Sequence, residues 1–559
     1  MRRAPIGVTL LPLLSALLPV TGLGAQQRPA FTRADSLRGS NGPARAWWDV
    51  TFYDLEVRVQ PSDSTLRGSN RITYRTVVPG SVLQIDLQPP MVLDSVLLED
   101  GRALVHRREG DAHFVTLPGS QDAGETHTIT AWFHGRPVVA ERPPWEGGYS
   151  WERDGTGNPW VVTSNQGLGA SVWWPNKDLM SEEPDSQRIA VTVPDPMMDV
   201  SNGRLRATHR NADGTTTWEW FVSSPINNYS VSVNAGSYVH WSEELPGEEG
   251  PLTLDFWPLA EHEADARRQW TQVRSTLQCF EHWFGPYPWY EDGYKLVEVP
   301  YLGMEHQSAV TYGNGFRNGY RGTDLSGTGR GLDWDFIIVH ESAHEWWGNN
   351  LTAADGADLW VHEGFANYAE NLYVECLTGS AEAGAEYVIG TRARITNDRP
   401  VQGRFGVNDE GSGDRYYKGG NLLHTLRQLT RDDERWRQAL RGLNRTFRHA
   451  TVTGRQVEEY IAHATGLALT AVFDQYLRTA AVPVLEYRRS GGRVSFRWTN
   501  VVPGFAMPVR VALEPGSWTW IEPTERWQTV ELGPGGEGPL QVDDDFYVEA
   551  LDVGAAAAR

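Results

Sequence analysis

The chain has 559 residues and a mass of 62.5 kDa, too much for one ordinary hydrophobic core, so several domains of about 100 to 200 residues each are expected. A hydrophobic content of 40%, a charged content of 22% and 24 Trp residues exclude a disordered chain. The formal net charge of -21, with no dense basic cluster against it, argues against nucleic acid or an anionic membrane surface as partner.

Arg2 and Arg3 precede an apolar run from Ile6 to Val20 and small residues up to Ala25, which is the layout of a signal peptide over residues 1–25. That run is short for a membrane span of about 20 residues, and no other stretch is long and apolar enough for one. The expectation is an exported protein, periplasmic or extracellular, with no transmembrane anchor after signal removal. Residues 26–45 mix Gln, Arg, Ser, Gly and Pro without periodicity and read as a flexible leader.

From 46 to 250 short runs alternate with turns: Tyr53–Val59, Ile72–Tyr74, Val82–Leu87, Thr126–Trp132, Ile189–Val193 and Tyr229–Val233. Period-two alternation predicts antiparallel strands and an all-β N-terminal domain. From 251 to 482 the period becomes helical, over Ala260–Phe284, Trp334–Trp347, Glu363–Leu377, Asn421–Leu429, Glu434–Thr446 and Gln456–Leu477. This is the α-rich region. Strand-like runs return in 483–559, at Val494–Trp498, Val509–Leu513, Thr529–Leu532 and Phe546–Leu551, and predict a small β-sandwich. The fold class is multidomain α+β. Cys279 and Cys376 are the only cysteines, and the sequence leaves open whether they pair or stay as buried thiols.

The second predicted helix of the α-rich region contains His340-Glu341-Ser342-Ala343-His344. Residues four apart share a helix face, so His340 and His344 can present imidazoles to one Zn²⁺ while Glu341 projects beside them. Histidines on apolar helices are more often satisfied core residues than ligands. Here Ile337, Ile338 and Val339 build the preceding turn, and Glu363 follows His344 after 18 residues at the start of the next helical run. A His₂Glu set leaves a coordination position open, the catalytic rather than the closed structural pattern. One zinc per chain is expected, held by His340, His344 and Glu363.

These residues resemble the zinc aminopeptidase family of aminopeptidase N and leukotriene hydrolase, the gluzincin metallopeptidases. The flanks Trp347-Gly348-Asn349, Leu359-Trp360 and Gly364-Phe365-Ala366 fit the family, as do two further signatures: Leu302-Gly303-Met304-Glu305-His306, similar to Gly-x-Met-Glu-Asn, and Tyr416-Tyr417-Lys418-Gly419, similar to Tyr-x-Lys-Gly. Leu302 and His306 depart from the pattern, which leaves the backbone contacts to a peptide open. The resemblance covers the β domain, the catalytic domain and the small sandwich, but not the large helical C-terminal domain of many members.

The resemblance implies a thermolysin-like catalytic domain and a zinc-dependent aminopeptidase acting on peptides with a free N-terminus. Glu341 is then the general base, and Tyr416, rather than its neighbour Tyr417, is the phenol facing the oxyanion. Glu305 pairs with the substrate's α-ammonium, with Gly303 and Met304 in the same substrate-binding segment. Gln166, whose spacing to Pro175 is similar to a family segment reaching in from the β domain, is a further substrate-binding candidate. Glu370 is expected to orient a ligand histidine, and Glu345 to be supporting or structural. Two alternatives stand beside this reading: a zinc endopeptidase, which has no use for an ammonium clamp at Glu305, and a silent peptide-binding relative, which should have lost ligands or base. The preferred N-terminal residue, the oligomeric state and the effect of His306 are not legible in the sequence.

Overall fold

A computed structural model describes residues 31–514, 516–532 and 539–556, and the signal peptide expected over 1–25 lies outside them. The architecture is mixed α+β. β-Rich structure comes first, helices fill the middle of the chain, and strands return at the end.

The N-terminal part is built on a ten-stranded sheet whose middle is Trp48–Gln60, with Tyr53, Leu55, Val57 and Val59 buried at every second position. On one side it pairs antiparallel with Thr65–Thr76. On the other it pairs parallel with Ser186–Pro194, Phe52 opposite Ser186 and Arg58 opposite Thr192. The sheet is therefore not purely antiparallel, because alternation reports which face is buried and carries no information on a neighbour's direction. A second sheet of four strands contains Gly148–Arg153 and Pro159–Ser164. The predicted strand Tyr229–Val233 is instead a 3₁₀ turn over Asn228–Ser230 followed by extended chain, since the Asn227 side chain accepts from Tyr229 N and nucleates the turn.

The leader is ordered where it is described. Thr32 and Asp35 form a capping box at the start of a helix, Arg33–Gly39. Beyond it, Arg45 is fully buried and pairs with Asp86 at 2.6 Å while donating to the carbonyls of Arg38, Ser40 and Asp178. A buried guanidinium needs such a set of acceptors, and supplying them pins the segment to the body.

The boundary at 250, where the hydrophobic period changes, lies at the tip of a hairpin, Trp241–Gly247 with Gly250–Trp257. This hairpin enters a five-stranded mixed sheet with Tyr294–Glu298, Val310–Tyr312 and the edge strand Gly303–Met304. Leu245, Leu252 and Leu254 share a core with the helices, so the hairpin packs with the α-rich region. Two predicted helices are divided. Ala260–Phe284 breaks near Trp270 into Glu263–Gln269 and Gln272–Phe284, and 456–477 breaks at Gly466, whose φ of 72° closes the helix Gly454–Thr465 before Thr470–Arg478 begins. A helix not predicted, Ala381–Gly390, is N-capped by Ser380. Cys279 and Cys376 form a disulfide joining helix Gln272–Phe284 to helix Trp360–Thr378.

The C-terminal strands form two small sheets, one containing Val484–Ser490 and Arg493–Thr499, the other Val509–Glu514 and Ser517–Ile521. Their inward residues Leu485, Phe496, Trp498 and Val511 continue the same apolar core as Phe473 and Tyr476 of the last helix before them, so the sandwich is not separately cored.

Candidate metal and peptide site

The helix Phe336–Ala343 is buried along its whole length, as its apolar sequence requires. Asp335 caps it, accepting from Ile337 N at 3.1 Å while also accepting from Tyr312 Oη, Gln269 Nε2 and Asn314 Nδ2. The regular helix closes at Ala343, so His344 sits at its C-terminal cap, one turn beyond His340. Their rings stand edge to face at 5.0 Å. Glu363 comes from the first turn of the following helix, Trp360–Thr378.

The three side chains converge, with ligand atoms of His340, His344 and Glu363 all within 4.8 Å of one another. Glu363 Oε2 is 3.6 Å from His340 Nε2 and 3.4 Å from His344 Nε2, yet it is buried and accepts no hydrogen bond among the described residues. A buried carboxylate oxygen without a donor is costly unless a cation satisfies it. Burial opposes charge on the imidazoles, but the facing carboxylates outweigh it and lift His344 to about 9 and His340 well above its ordinary value. The group therefore favours positive charge at its centre, and its nitrogen and oxygen donors suit one Zn²⁺ per chain.

The outer imidazole nitrogens are also engaged. His340 Nδ1 is 2.9 Å from Glu370 Oε1, and the other oxygen of Glu370 accepts from Asn367 Nδ2 and Tyr387 Oη. His344 Nδ1 lies 2.8 Å from the carbonyl of Trp347. Each contact orients a ring with Nε2 facing inward. Tyr387 belongs to helix Ala381–Gly390; the cap signal at Ser380 marks that helix in the sequence, but nothing local ties it to Glu370. His362, between Trp360 and Glu363, accepts from Ala353 N through Nε2 and is held to about 3 by burial, so it is a neutral structural residue.

Glu305 follows the edge strand Gly303–Met304, which lies against the first site helix. A Cβ on Gly303 would stand 2.6 Å from Ile337 Cγ2 and 3.3 Å from Glu341 Cγ, so only glycine lets this strand approach so closely. The turn carrying Glu305 is fixed from below, with Asn349 Nδ2 donating to the Glu305 carbonyl and Ser308 N donating to Glu345 Oε1. Glu345 thus supports the turn. Met304 is buried and lines the same cavity. His306 is fully buried, neither ring nitrogen has a hydrogen-bond partner among the described residues, and burial lowers it to about 3.

Gln166 reaches the site from the segment after Pro159–Ser164. Its Nε2 donates to Glu305 Oε1 at 2.5 Å and to Glu363 Oε1 at 3.2 Å, bridging the two carboxylates. Glu341 is buried beside them, and burial raises its carboxyl to about 7. Tyr416 precedes the helix Tyr417–Thr430, and its ring lies nearly parallel to that of His340 at 6.1 Å. Burial and the nearby Glu363 hold its phenol well above the ordinary value, so it stays a proton donor. Tyr417 instead lies under the guanidinium of Arg394. The close approach behind this arrangement is between Gly364 and Gly419, where a Cβ on Gly419 would meet Gly364 Cα at 2.8 Å.

His340, His344, Glu363, Glu341, Glu305, Gln166 and Tyr416 line one cavity of about 310 Å³. Trp145 and Arg394 also line it and were not anticipated, since neither stands in a motif.

Residues 269–476 match the model of the Peptidase family M1 domain. Leucine aminopeptidase 2 of Vanderwaltozyma polyspora is 24% identical over 321 residues, 56% of this chain and 44% of its own length. Aminopeptidase B of Rattus norvegicus is 24% identical over 404 residues, 69% of this chain and 56% of its own. Aminopeptidase N of Streptomyces lividans is 31% identical over 209 residues, 36% and 23% respectively. The chain thus spans about half the length of the first two relatives. In overall fold it is similar to the M1 zinc metallopeptidase of Deinococcus radiodurans, with a TM-score of 0.67 at 21% identity over 79% of this chain and 95% of that one. A variant of that enzyme bound to Tyr-Ser-Ala gives 0.66 at 21% identity over 80% and 98%. The stretch 269–476 is thus similar to the Peptidase family M1 domain, and the curated relatives that the chain matches are named aminopeptidases.

Proposed function

We propose that the protein is a zinc-dependent aminopeptidase that removes residues one at a time from the free N-terminus of peptides. The observation that carries this reading is the buried Glu305 carboxylate, joined through Gln166 to the ligand Glu363. An exopeptidase must measure from its substrate's end, and a fixed carboxylate beside the metal group does so by pairing with an α-ammonium. The amide hydrogens of Gln166 are spent on the two carboxylates, so its Oε1 is the remaining acceptor for the same ammonium.

Held by His340, His344 and Glu363, zinc would supply Lewis acidity towards the scissile carbonyl and the attacking water. Glu341, adjacent to a ligand histidine but not itself one of the three, takes the proton from that water and passes it to the leaving amine. A carboxyl raised to about 7 suits both transfers near neutrality. Tyr416 donates to the oxygen that gains charge as the carbonyl becomes tetrahedral. Glu370, Asn367 and Tyr387 keep the His340 ring in place through the cycle. The relatives named aminopeptidases and the neighbour bound to Tyr-Ser-Ala support peptides as the substrate class. The disulfide and the apolar run at Ile6–Val20 support an exported location.

The test is removal and return of the metal. A chelator should abolish release of the chromophore from aminoacyl arylamides, and one equivalent of Zn²⁺ per chain should restore it. Full turnover of metal-free protein would overturn the zinc reading.

A further inference from the structure

The lining of the cavity is electrically lopsided. Glu305, Glu341, Glu363 and Glu370 supply carboxylates, whereas Arg394 is the one Lys or Arg among the lining residues. Glu305 is 3% exposed, while Arg394 is exposed, as is Trp145 at 61%, so the carboxylates occupy the closed end and the guanidinium stands at the mouth.

The Arg394 guanidinium is also oriented. Its Nε donates to the carbonyl of Leu325 at 2.8 Å, and its Cζ lies 6.0 Å from the ring centroid of Tyr417, the neighbour of the oxyanion phenol. Among the described residues its two terminal nitrogens have no ion pair and no hydrogen bond. Surface arginines of this acidic chain are commonly paired, as Arg330 is with Glu386 and Arg274 with Glu243. An arginine anchored through Nε, with its terminal nitrogens unspent at the mouth of a cavity, is arranged to receive a carboxylate in a two-point contact.

From this geometry we infer that Arg394 binds the C-terminal carboxylate of the substrate, which makes short peptides with a free C-terminus the preferred class. The inference rests on the aminopeptidase reading. A peptide whose ammonium is at Glu305 and whose first peptide bond is beside Glu341 must run outward, and a cavity of about 310 Å³ holds only a short one before its far end reaches the mouth. Such a peptide is held by opposite charges at its two ends. A long peptide carries no charge at the corresponding position and forgoes the second contact.

The experiment uses a tripeptide with a free N-terminus as its acid and as its C-terminal amide, with an aminoacyl arylamide alongside, in the wild-type enzyme, Arg394→Gln and Arg394→Lys. The wild type should favour the acid over the amide by roughly tenfold in kcat/KM, most of it in KM, the scale of a charge-assisted contact at a partly exposed site. Arg394→Gln should bring that ratio close to one, and Arg394→Lys, which keeps the charge but loses the fork, should retain part of it. Because the readout is a ratio within one protein, it does not depend on how much of a variant folds. Equal rates on acid and amide in the wild type, or an undiminished preference in Arg394→Gln, would overturn this inference alone. Failure of the wild type to release an N-terminal residue from any of the three substrates would overturn the aminopeptidase reading, and this inference with it.

Discussion

Glu341 and Glu363 are both buried carboxylates within one cavity, and their surroundings divide their work. Glu363 is held far below the ordinary range by His344 and His340 despite its burial, and so remains an anionic ligand. Glu341 is left near 7 because burial outweighs the same two imidazoles at its position. This separation is the usual mark of a ligand and a base sharing a site. Glu341→Gln should therefore keep one zinc per chain while losing roughly 10² to 10⁴-fold in kcat, the contribution of a positioned base. Metal analysis beside steady-state kinetics checks both halves. Loss of zinc together with activity would mean that Glu341 is a ligand.

At the scale of elements, the site depends on two close approaches, and each places a motif glycine against another backbone or a site helix. Gly303 lets the edge strand carrying Glu305 lie on the helix of His340, and Gly419 lets the helix behind Tyr416 lie on Gly364, next to Glu363. Gly419→Ala gains helix propensity but inserts a methyl group 2.8 Å from a backbone carbon that cannot rotate away. We expect a net loss of about 1–3 kcal/mol from overpacking, and a fall in kcat larger than the fall in zinc content, because the displaced element carries Tyr416 rather than a ligand. Thermal melts and kinetics on the same preparation test this, and unchanged turnover would separate Gly419 from the site. The same elements show what could be read in advance. His340 and His344 were legible because helical periodicity fixes the distance between neighbouring turns and the apolar run before them marks a buried helix, and Glu363 because it follows His344 after 18 residues at the start of the next helical run. The link from Glu370 to Tyr387, the bridge from Gln166 to two carboxylates, and the parallel pairing of Trp48–Gln60 with Ser186–Pro194 join residues far apart in sequence, where local pattern carries no distance. The ordered leader escaped notice because its main anchor, Arg45, reads as a surface residue until Asp86 is brought to it.

For the molecule as a whole, the β-rich part supplies Gln166, the mixed sheet supplies Glu305, and the helices supply the metal group, so the site is completed only when the parts are assembled. The Cys279–Cys376 disulfide joins two of the helices more than three turns along from Glu363, roughly 20 Å away. Replacing both cysteines with alanine should cost about 2–4 kcal/mol of stability, through the freer unfolded chain, while the protein that remains folded keeps its kcat. Denaturant melts and activity measured below the transition distinguish this from a catalytic role, which a proportionate loss of kcat would indicate. The central claim, that the assembled site counts from a free N-terminus, is tested most directly by mass spectrometry of digests of one peptide offered with a free and with an acetylated N-terminus. Stepwise loss of single residues from the free peptide and an intact acetylated peptide are expected. Internal cuts in the acetylated peptide at rates similar to those on the free one would contradict it and leave an endopeptidase in its place.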